Sequence, residues 1–76
     1  MRMFYIVGNK RCMNIRTARA EAYKIVKKTE RAIDIHKATA RGSVDYATVN
    51  FRKGQVYFTP LGGRTYLVYK DGSTKE

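Results

Sequence analysis

The chain has little of what cross-links or anchors a protein. Its 76 residues contain one cysteine, Cys12, so no internal disulfide can form and a zinc site would lack a second thiolate. No apolar stretch approaches the roughly 18 residues that span a bilayer, and the apolar opening is interrupted by Gly8 and the bases Lys10 and Arg11. We therefore expect a soluble cytoplasmic protein, in a reducing compartment and without a membrane partner.

Groups suited to catalysis are equally scarce. His36 is the only histidine, and the six carboxylates are scattered, so no metal cage or acid pair is indicated. Gly62 and Gly63 lack the spacing and the lysine-serine or lysine-threonine ending of a phosphate-binding loop. The bases beside Cys12 could lower its thiol pKa, while a buried or incidental thiol is the preferred interpretation. We predict no enzyme, metal or cofactor, and a hydrolase using His36 and Cys12 is the least favoured hypothesis.

Positive charge is what the chain has in excess. Sixteen Lys and Arg residues face six Asp and Glu residues, which gives a formal charge of +10. Residues 1–41 hold eleven bases and three acids, whereas residues 42–76 hold five bases and three acids. Unbalanced charges destabilise a small domain by repelling one another. We therefore expect them to serve in binding a negatively charged surface.

Hydrophobic periodicity predicts one helix and several strands. Residues 3–7 form a short, wholly apolar run, which favours a strand buried on both faces and central in the sheet. A polar loop over residues 10–14 leads into the helix. Further strands are predicted around residues 33–36, 44–51, 55–59 and 64–70. The in-out alternation slips between Tyr46 and Val49, which indicates a bulge or bend there.

These elements predict an α+β fold. The order is β-α-β-β-β, with one helix packed on an antiparallel meander sheet in a single small domain of residues 1–72. Residues 73–76 are expected to be a frayed tail. An exposed edge strand could pair two copies, so the predicted state is a monomer or a weak homodimer.

The predicted helix has an apolar stripe and a basic outer face. Asn14 or Thr17 can cap its start, because either side chain accepts a hydrogen bond from a free backbone N–H. The apolar stripe follows the helical period through Ala18, Ala22, Ile25, Val26 and Thr29. Bases dominate the rest of the helix and the loop before it. The predicted anion-binding or nucleic-acid-binding residues are Lys10, Arg11, Arg16, Arg19, Lys24, Lys27, Lys28 and Arg31.

Aromatic residues alternate with bases in the predicted sheet. Lysine and arginine neutralise phosphates, and tyrosines on an open sheet can stack on unpaired bases, although core packing is the preferred role for these tyrosines. The predicted secondary contacts are Arg52, Lys53, Tyr57, Arg64 and Tyr66. We thus expect a small non-enzymatic protein that contacts nucleic acid or a nucleoprotein complex. The alternative is a protein-protein interaction module that docks on an acidic protein through the tyrosine-rich sheet or an edge strand.

Three segments carry a resemblance to a known class of proteins. They are the opening strand of residues 3–7, the alanine-rich helix of residues 17–28 and the closing segment of residues 63–72. In outline the chain resembles small phage-encoded accessory proteins, among them anti-CRISPR proteins with a short β-α-β-β-β domain. The resemblance implies an inhibitor of a host defence system such as CRISPR-Cas, acting in the host cytoplasm. Many such proteins are acidic DNA mimics, whereas this chain is basic, so the resemblance implies direct contact with an acidic surface.

Overall fold

The structure is a computed structural model that describes residues 3–76, and it has one helix on one face of a seven-stranded antiparallel sheet. The elements are β1 (Phe4–Val7), β2 (Lys10–Cys12), α1 (Ile15–Thr29), β3 (Ile33–Thr39), β4 (Gly42–Arg52), β5 (Gln55–Pro60), β6 (Tyr66–Val68) and β7 (Thr74–Lys75). The strand order across the sheet is β2-β1-β3-β4-β5-β6-β7. The predicted α+β class and the single helix on an antiparallel sheet are confirmed.

Helix α1 begins and ends with defined caps. The Asn14 side chain accepts a hydrogen bond from the Thr17 backbone N–H at 2.8 Å, so Asn14 is the N-cap. At the other end Glu30 takes a left-handed conformation, with φ of 58°, and its N–H donates to the Val26 carbonyl at 2.8 Å. The predicted stripe packs on the sheet through Ala18, Ala22 and Val26, all fully buried.

The core lies between this alanine-rich stripe and the sheet. Small side chains at Ala18 and Ala22 allow the helix to lie close to the strands, where Ile35 of β3 and Val49 of β4 are fully buried. The other core side chains come from β1, β2, β4, β5 and β6: Tyr5, Val7, Cys12, Ala47, Val56, Phe58 and Val68. The opposite face of the sheet carries no second layer among the described residues, so the fold has two layers.

Strand β1 is not central and is not buried on both faces, so both predictions were wrong. Residues 10–12 are a short edge strand rather than a loop, because Gly8, with φ of 63°, allows a tight turn that returns the chain antiparallel to β1. Tyr5 and Val7 are buried under the helix, while Phe4 and Ile6 are half-buried on the open face. Because all four residues of β1 are apolar, the sequence does not show the alternation of polar and apolar residues that is typical of a half-buried strand.

The predicted irregularity in the long strand is confirmed at the start of the predicted interval. Ile35 pairs with Ala47, but the next residue of β3, His36, pairs with Asp45. Tyr46 is therefore the extra residue of a β-bulge. Its ring meets the Tyr5 ring edge-on, with 5.2 Å between centroids, so the bulge contributes an aromatic contact beside the core.

The end of the chain differs from the prediction. Strand β6 has only three residues, and Thr74 and Lys75 form β7 by pairing with Val68 and Leu67. These residues are therefore paired in the sheet rather than frayed. The reversal is stabilised by Asp71, whose carboxylate accepts hydrogen bonds from the Ser73 backbone N–H at 3.0 Å and the Ser73 hydroxyl at 2.6 Å.

Candidate functional site

The first half of the predicted cationic ridge is partly neutralised by ion pairs. Lys10 lies 2.8 Å and Lys24 lies 3.3 Å from the carboxylate of Glu21, which stands between them. The hydrogen bond from Lys10 is the main reason that the pKa of Glu21 is lowered, and the same bond raises the pKa of Lys10. These three side chains together carry one net positive charge, so this end of the ridge is weaker than predicted.

Arg16 is also paired. Its guanidinium donates to the Asp71 carboxylate at 3.0 Å, which ties the start of the helix to the turn between β6 and β7. Hydrogen bonds from Ser73 and then from Arg16 lower the pKa of Asp71 to about 2. Asp71 is therefore a carboxylate at neutral pH, and it offsets the charge of Arg16.

Arg19 and Arg11 do not lie on the exposed basic face of the helix that the sequence predicted. Arg19 donates to the Gly72 carbonyl at 2.7 Å and lies 5.1 Å from the centre of the Phe58 ring. Burial lowers the pKa of Arg19. Arg11 lies 4.4 Å from the centre of the Phe4 ring, and its pairing with Ile6 puts it on the open face of the sheet. The structure therefore places Arg19 in a structural contact and Arg11 on the opposite face from the helix.

The last turn of the helix keeps its positive charge. Lys27, Lys28 and the following Arg31 are exposed, and none of them pairs with a carboxylate among residues 3–76. Lys27 donates from Nζ to the backbone carbonyl of Gly54 at 2.9 Å. This contact draws the turn between β4 and β5, which carries Lys53, against the end of the helix.

A groove opens between this end of the helix and strands β5 and β6. Its volume is about 760 Å³, and its floor includes the buried side chains of Val56 and Val68. Two tyrosines and two lysines also line it: Tyr23 and Lys27 from the helix, and Tyr69 and Lys70 from the turn after β6. We call these six residues, Tyr23, Lys27, Val56, Val68, Tyr69 and Lys70, the basic groove.

The predicted secondary contacts do not form one surface. Arg52 and Lys53 are exposed at the turn next to the basic groove. Tyr57 shares the open sheet face with Leu67, with which it pairs, whereas Tyr66 pairs with Phe58 and packs on the core under the helix. Tyr66 therefore has the core-packing role that was preferred for the tyrosines from the sequence.

Arg64 and the edge strands complete the predicted contacts. Arg64 lies 3.6 Å from the carboxylate of Glu76, so it is paired rather than free. The two sheet edges, β2 and β7, have three and two residues, and each presents a lysine, Lys10 and Lys75. Short, charged edges offer few unpaired backbone groups to another strand. Docking through an edge strand is therefore poorly supported by this geometry.

Five of the six residues of the basic groove lie outside the predicted contact set, and three of these five, Tyr23, Tyr69 and Lys70, carry an aromatic or charged side chain. Tyr23 precedes Lys27 by four residues and follows Arg19 by four, so all three share the flank of the helix that faces β5 and β6. That spacing was a usable signal for Tyr23. Tyr69 and Lys70 could not be assigned from spacing, because only the reversal after β6 brings them to the helix.

Cys12 and His36 are not placed to act together. Cys12 pairs with Tyr5 on the helix side, whereas His36 pairs with Ile6 on the open face. Burial raises the pKa of the Cys12 thiol, Glu21 adds to the rise, and Lys10 only partly opposes it. The net effect on this pKa is thus opposite to the one that the neighbouring bases alone would have, and the preferred interpretation of a buried thiol is confirmed.

The partner of His36 is a carboxylate that sequence reasoning missed. The His36 Nδ1 lies 3.0 Å from the Asp45 carboxylate across the bulge. Asp45 reaches this position because the extra residue in β4 shifts the register by one. Nothing in residues 3–76 groups three or more His, Cys, Asp or Glu side chains as a metal site. Over the same residues no helix is long and apolar enough to cross a membrane.

Comparison with known protein families, with curated protein sequences and with solved structures finds no match to this chain.

Proposed function

We propose that this chain is a non-enzymatic nucleic-acid-binding protein whose contact surface is the basic groove and the adjoining end of the helix. The observation that carries the proposal is the position of the charges that remain after internal pairing. Lys27 and Lys70 line a groove that also contains Tyr23 and Tyr69, and Lys53 stands at the neighbouring turn. Lysines neutralise phosphates, and aromatic side chains offer stacking surfaces for bases.

The internal ion pairs reduce the number of helix bases that are available to bind a ligand. Glu21 and Asp71 offset charge along the start of the helix. Among the described residues, the exposed bases in and just after the helix that lack a carboxylate partner are then Lys27, Lys28 and Arg31. The proposed site keeps these three of the eight bases predicted as principal contacts, and it adds the groove lysine of the β6–β7 turn. An acidic protein is the alternative ligand. The aromatic lining favours nucleic acid, because bases stack on tyrosine rings and carboxylate side chains do not.

The resemblance to phage anti-defence proteins stays a prediction, and the proposed function does not depend on it.

A matched pair of double variants tests this proposal. Lys27→Gln/Lys70→Gln removes two charges from the basic groove. Arg11→Gln/Arg41→Gln removes two charges elsewhere, on the open sheet face and at the β3–β4 turn. The β3–β4 and β4–β5 turns lie at opposite ends of the 11-residue strand β4, about 30 Å apart. Binding of a fluorescent 12-nucleotide strand is measured by anisotropy.

We expect the groove variant to lose about tenfold or more in affinity, because both lysines contact phosphate. The control should lose only the weaker, general attraction of net charge. Equal losses in the two variants would show that the groove is not the contact surface. Absence of binding by the unsubstituted protein at low salt would contradict the proposed function itself.

A further inference from the structure

Resting on that proposed function, the geometry points to a ligand class: we infer that the basic groove holds an unpaired base of a single-stranded nucleic acid. Tyr23 and Tyr69 would contact the base, and Lys27 and Lys70 would contact the phosphates beside it. A volume of about 760 Å³ lies within the range of small-ligand sites. The groove therefore has room for a nucleoside.

The apolar part of the groove is suited to a flat, partly polar ligand. Its floor is formed by Val56 and Val68, which are 1% and 3% exposed. Tyr23 is half-buried and packs against the core, so its position is held by the fold. Because Val56 and Val68 are already buried, the apolar surface that a base would cover belongs mainly to the rings of Tyr23 and Tyr69, and stacking on an aromatic ring tolerates any base.

Tyr69 is the accessible aromatic residue of the groove. It is 42% exposed, although its backbone is fixed. Its N–H donates to the Ser73 carbonyl at 2.9 Å, and its carbonyl accepts from the Gly72 N–H at 2.9 Å. A rigid backbone beneath an open ring lowers the entropy lost when a ligand binds.

The charged groups at the rim of the basic groove are suited to binding phosphate. Lys27 uses one N–H on the Gly54 carbonyl, which leaves two ammonium hydrogens for a ligand. Asp71 also lines the groove, but its carboxylate is engaged by Arg16 and Ser73. Within residues 3–76, the ionic groups of the groove that lack an internal charge partner are therefore the two lysines.

The requirement for a single strand follows from base stacking. A base inside a duplex is covered on both faces and paired along its edge, so it cannot enter a groove without leaving the helix. A base in a single strand leaves its neighbours at lower cost. The groove therefore adds an affinity for bases that a ridge of lysines alone would not have.

A tryptophan reporter tests this inference, because the chain contains no tryptophan. The Tyr69→Trp protein is titrated with a 12-nucleotide thymidine strand and with an abasic strand of the same length and charge. We expect the thymidine strand to quench the tryptophan emission and to bind about fivefold or more tightly than the abasic strand. In the otherwise unsubstituted protein, Tyr69→Leu should lower affinity for the thymidine strand to the abasic value.

The outcomes separate the two proposals. Equal binding of both strands, without quenching by thymidine, would overturn the base site and leave phosphate binding intact. If neither strand binds, or if only a poly-glutamate peptide binds and quenches, both proposals fail. Circular dichroism checks that Tyr69→Leu is folded. Should that variant unfold, the comparison of the two strands on the unsubstituted protein by anisotropy still decides the question.

Discussion

Gly72 is the point at which the turn between β6 and β7 rests on the helix, and Gly72→Ala tests that contact. The residue has φ of 89°, and a methyl group there would collide with the carbonyl oxygen of Arg16 and lie 3.2 Å from the Ala20 backbone nitrogen. Both obstacles are helix backbone, which cannot rotate away. The turn would have to move off the helix, and the hydrogen bond from Arg19 to the Gly72 carbonyl would be lost.

The magnitude follows from three contributions. A positive φ costs alanine about 1 kcal/mol, and a gain of about 0.5 to 1 kcal/mol from the stiffer unfolded chain nearly offsets it. Loss of a partly exposed, charge-assisted hydrogen bond adds about 1 to 2 kcal/mol. The steric displacement brings the expected loss to about 2 to 4 kcal/mol. A chain of this length has only about 4 to 11 kcal/mol of stability, so the effect should be large.

Gly62→Ala is the matched control. Gly62 has φ of 75°, similar to that of Gly72, but no described residue other than its two chain neighbours has an atom within 4 Å of the position of an added methyl group. We expect this variant to remain within about 1 kcal/mol of the unsubstituted protein. The measurement is urea unfolding at neutral pH, followed by circular dichroism and compared at equal m-values. If Gly72→Ala is as stable as Gly62→Ala, the turn does not rest on the helix as described.

Three further predictions concern the helix. Arg19→Met should lower stability by about 1 to 2 kcal/mol, seen as a fall in Tm, because it leaves the Gly72 carbonyl without its donor; it should leave oligonucleotide affinity within about threefold, and a tenfold loss would restore Arg19 to the binding surface. The lowered pKa of Glu21 means that its contribution to stability is present above its ordinary pKa and is lost as pH falls through the lowered value. Urea unfolding between pH 7 and pH 2 should therefore show a smaller decline for Glu21→Gln than for the unsubstituted protein, and identical declines would contradict the Lys10 contact. Ala22→Leu should cost about 1 to 3 kcal/mol in the same unfolding assay through overpacking, and an unchanged midpoint would mean that the helix does not lie close to the sheet.

Features with a short-range physical cause were predictable from the sequence. The Asn14 cap depends on a side chain and a backbone N–H three residues apart. The buried stripe of Ala18, Ala22 and Val26 follows from helix geometry alone. The irregularity near Tyr46 was visible in the sequence because a bulge adds one residue to the strand. The extra residue shifts the alternation, so that different side chains face the core.

Features made by distant residues were not predictable in this way. Strand β2 has three residues, two of them exposed bases, so it carries no alternation that would distinguish it from a loop. The pairing of Arg16 with Asp71 joins residues 55 positions apart. No local pattern signals such a contact, yet it removes a base from the predicted ridge. The basic groove exists only because the same turn folds onto the helix.

The salt dependence of binding to a single strand tests the central claim most directly. Each phosphate neutralised on a single strand contributes about −0.7 to the slope of log affinity against log salt concentration. With Lys27, Lys28, Arg31, Lys53 and Lys70 in contact, we expect a slope of about −3.5, and removal of Lys27 and Lys70 should bring it to about −2. A slope close to zero in the unsubstituted protein, or one that does not change in Lys27→Gln/Lys70→Gln, would contradict phosphate binding in the basic groove.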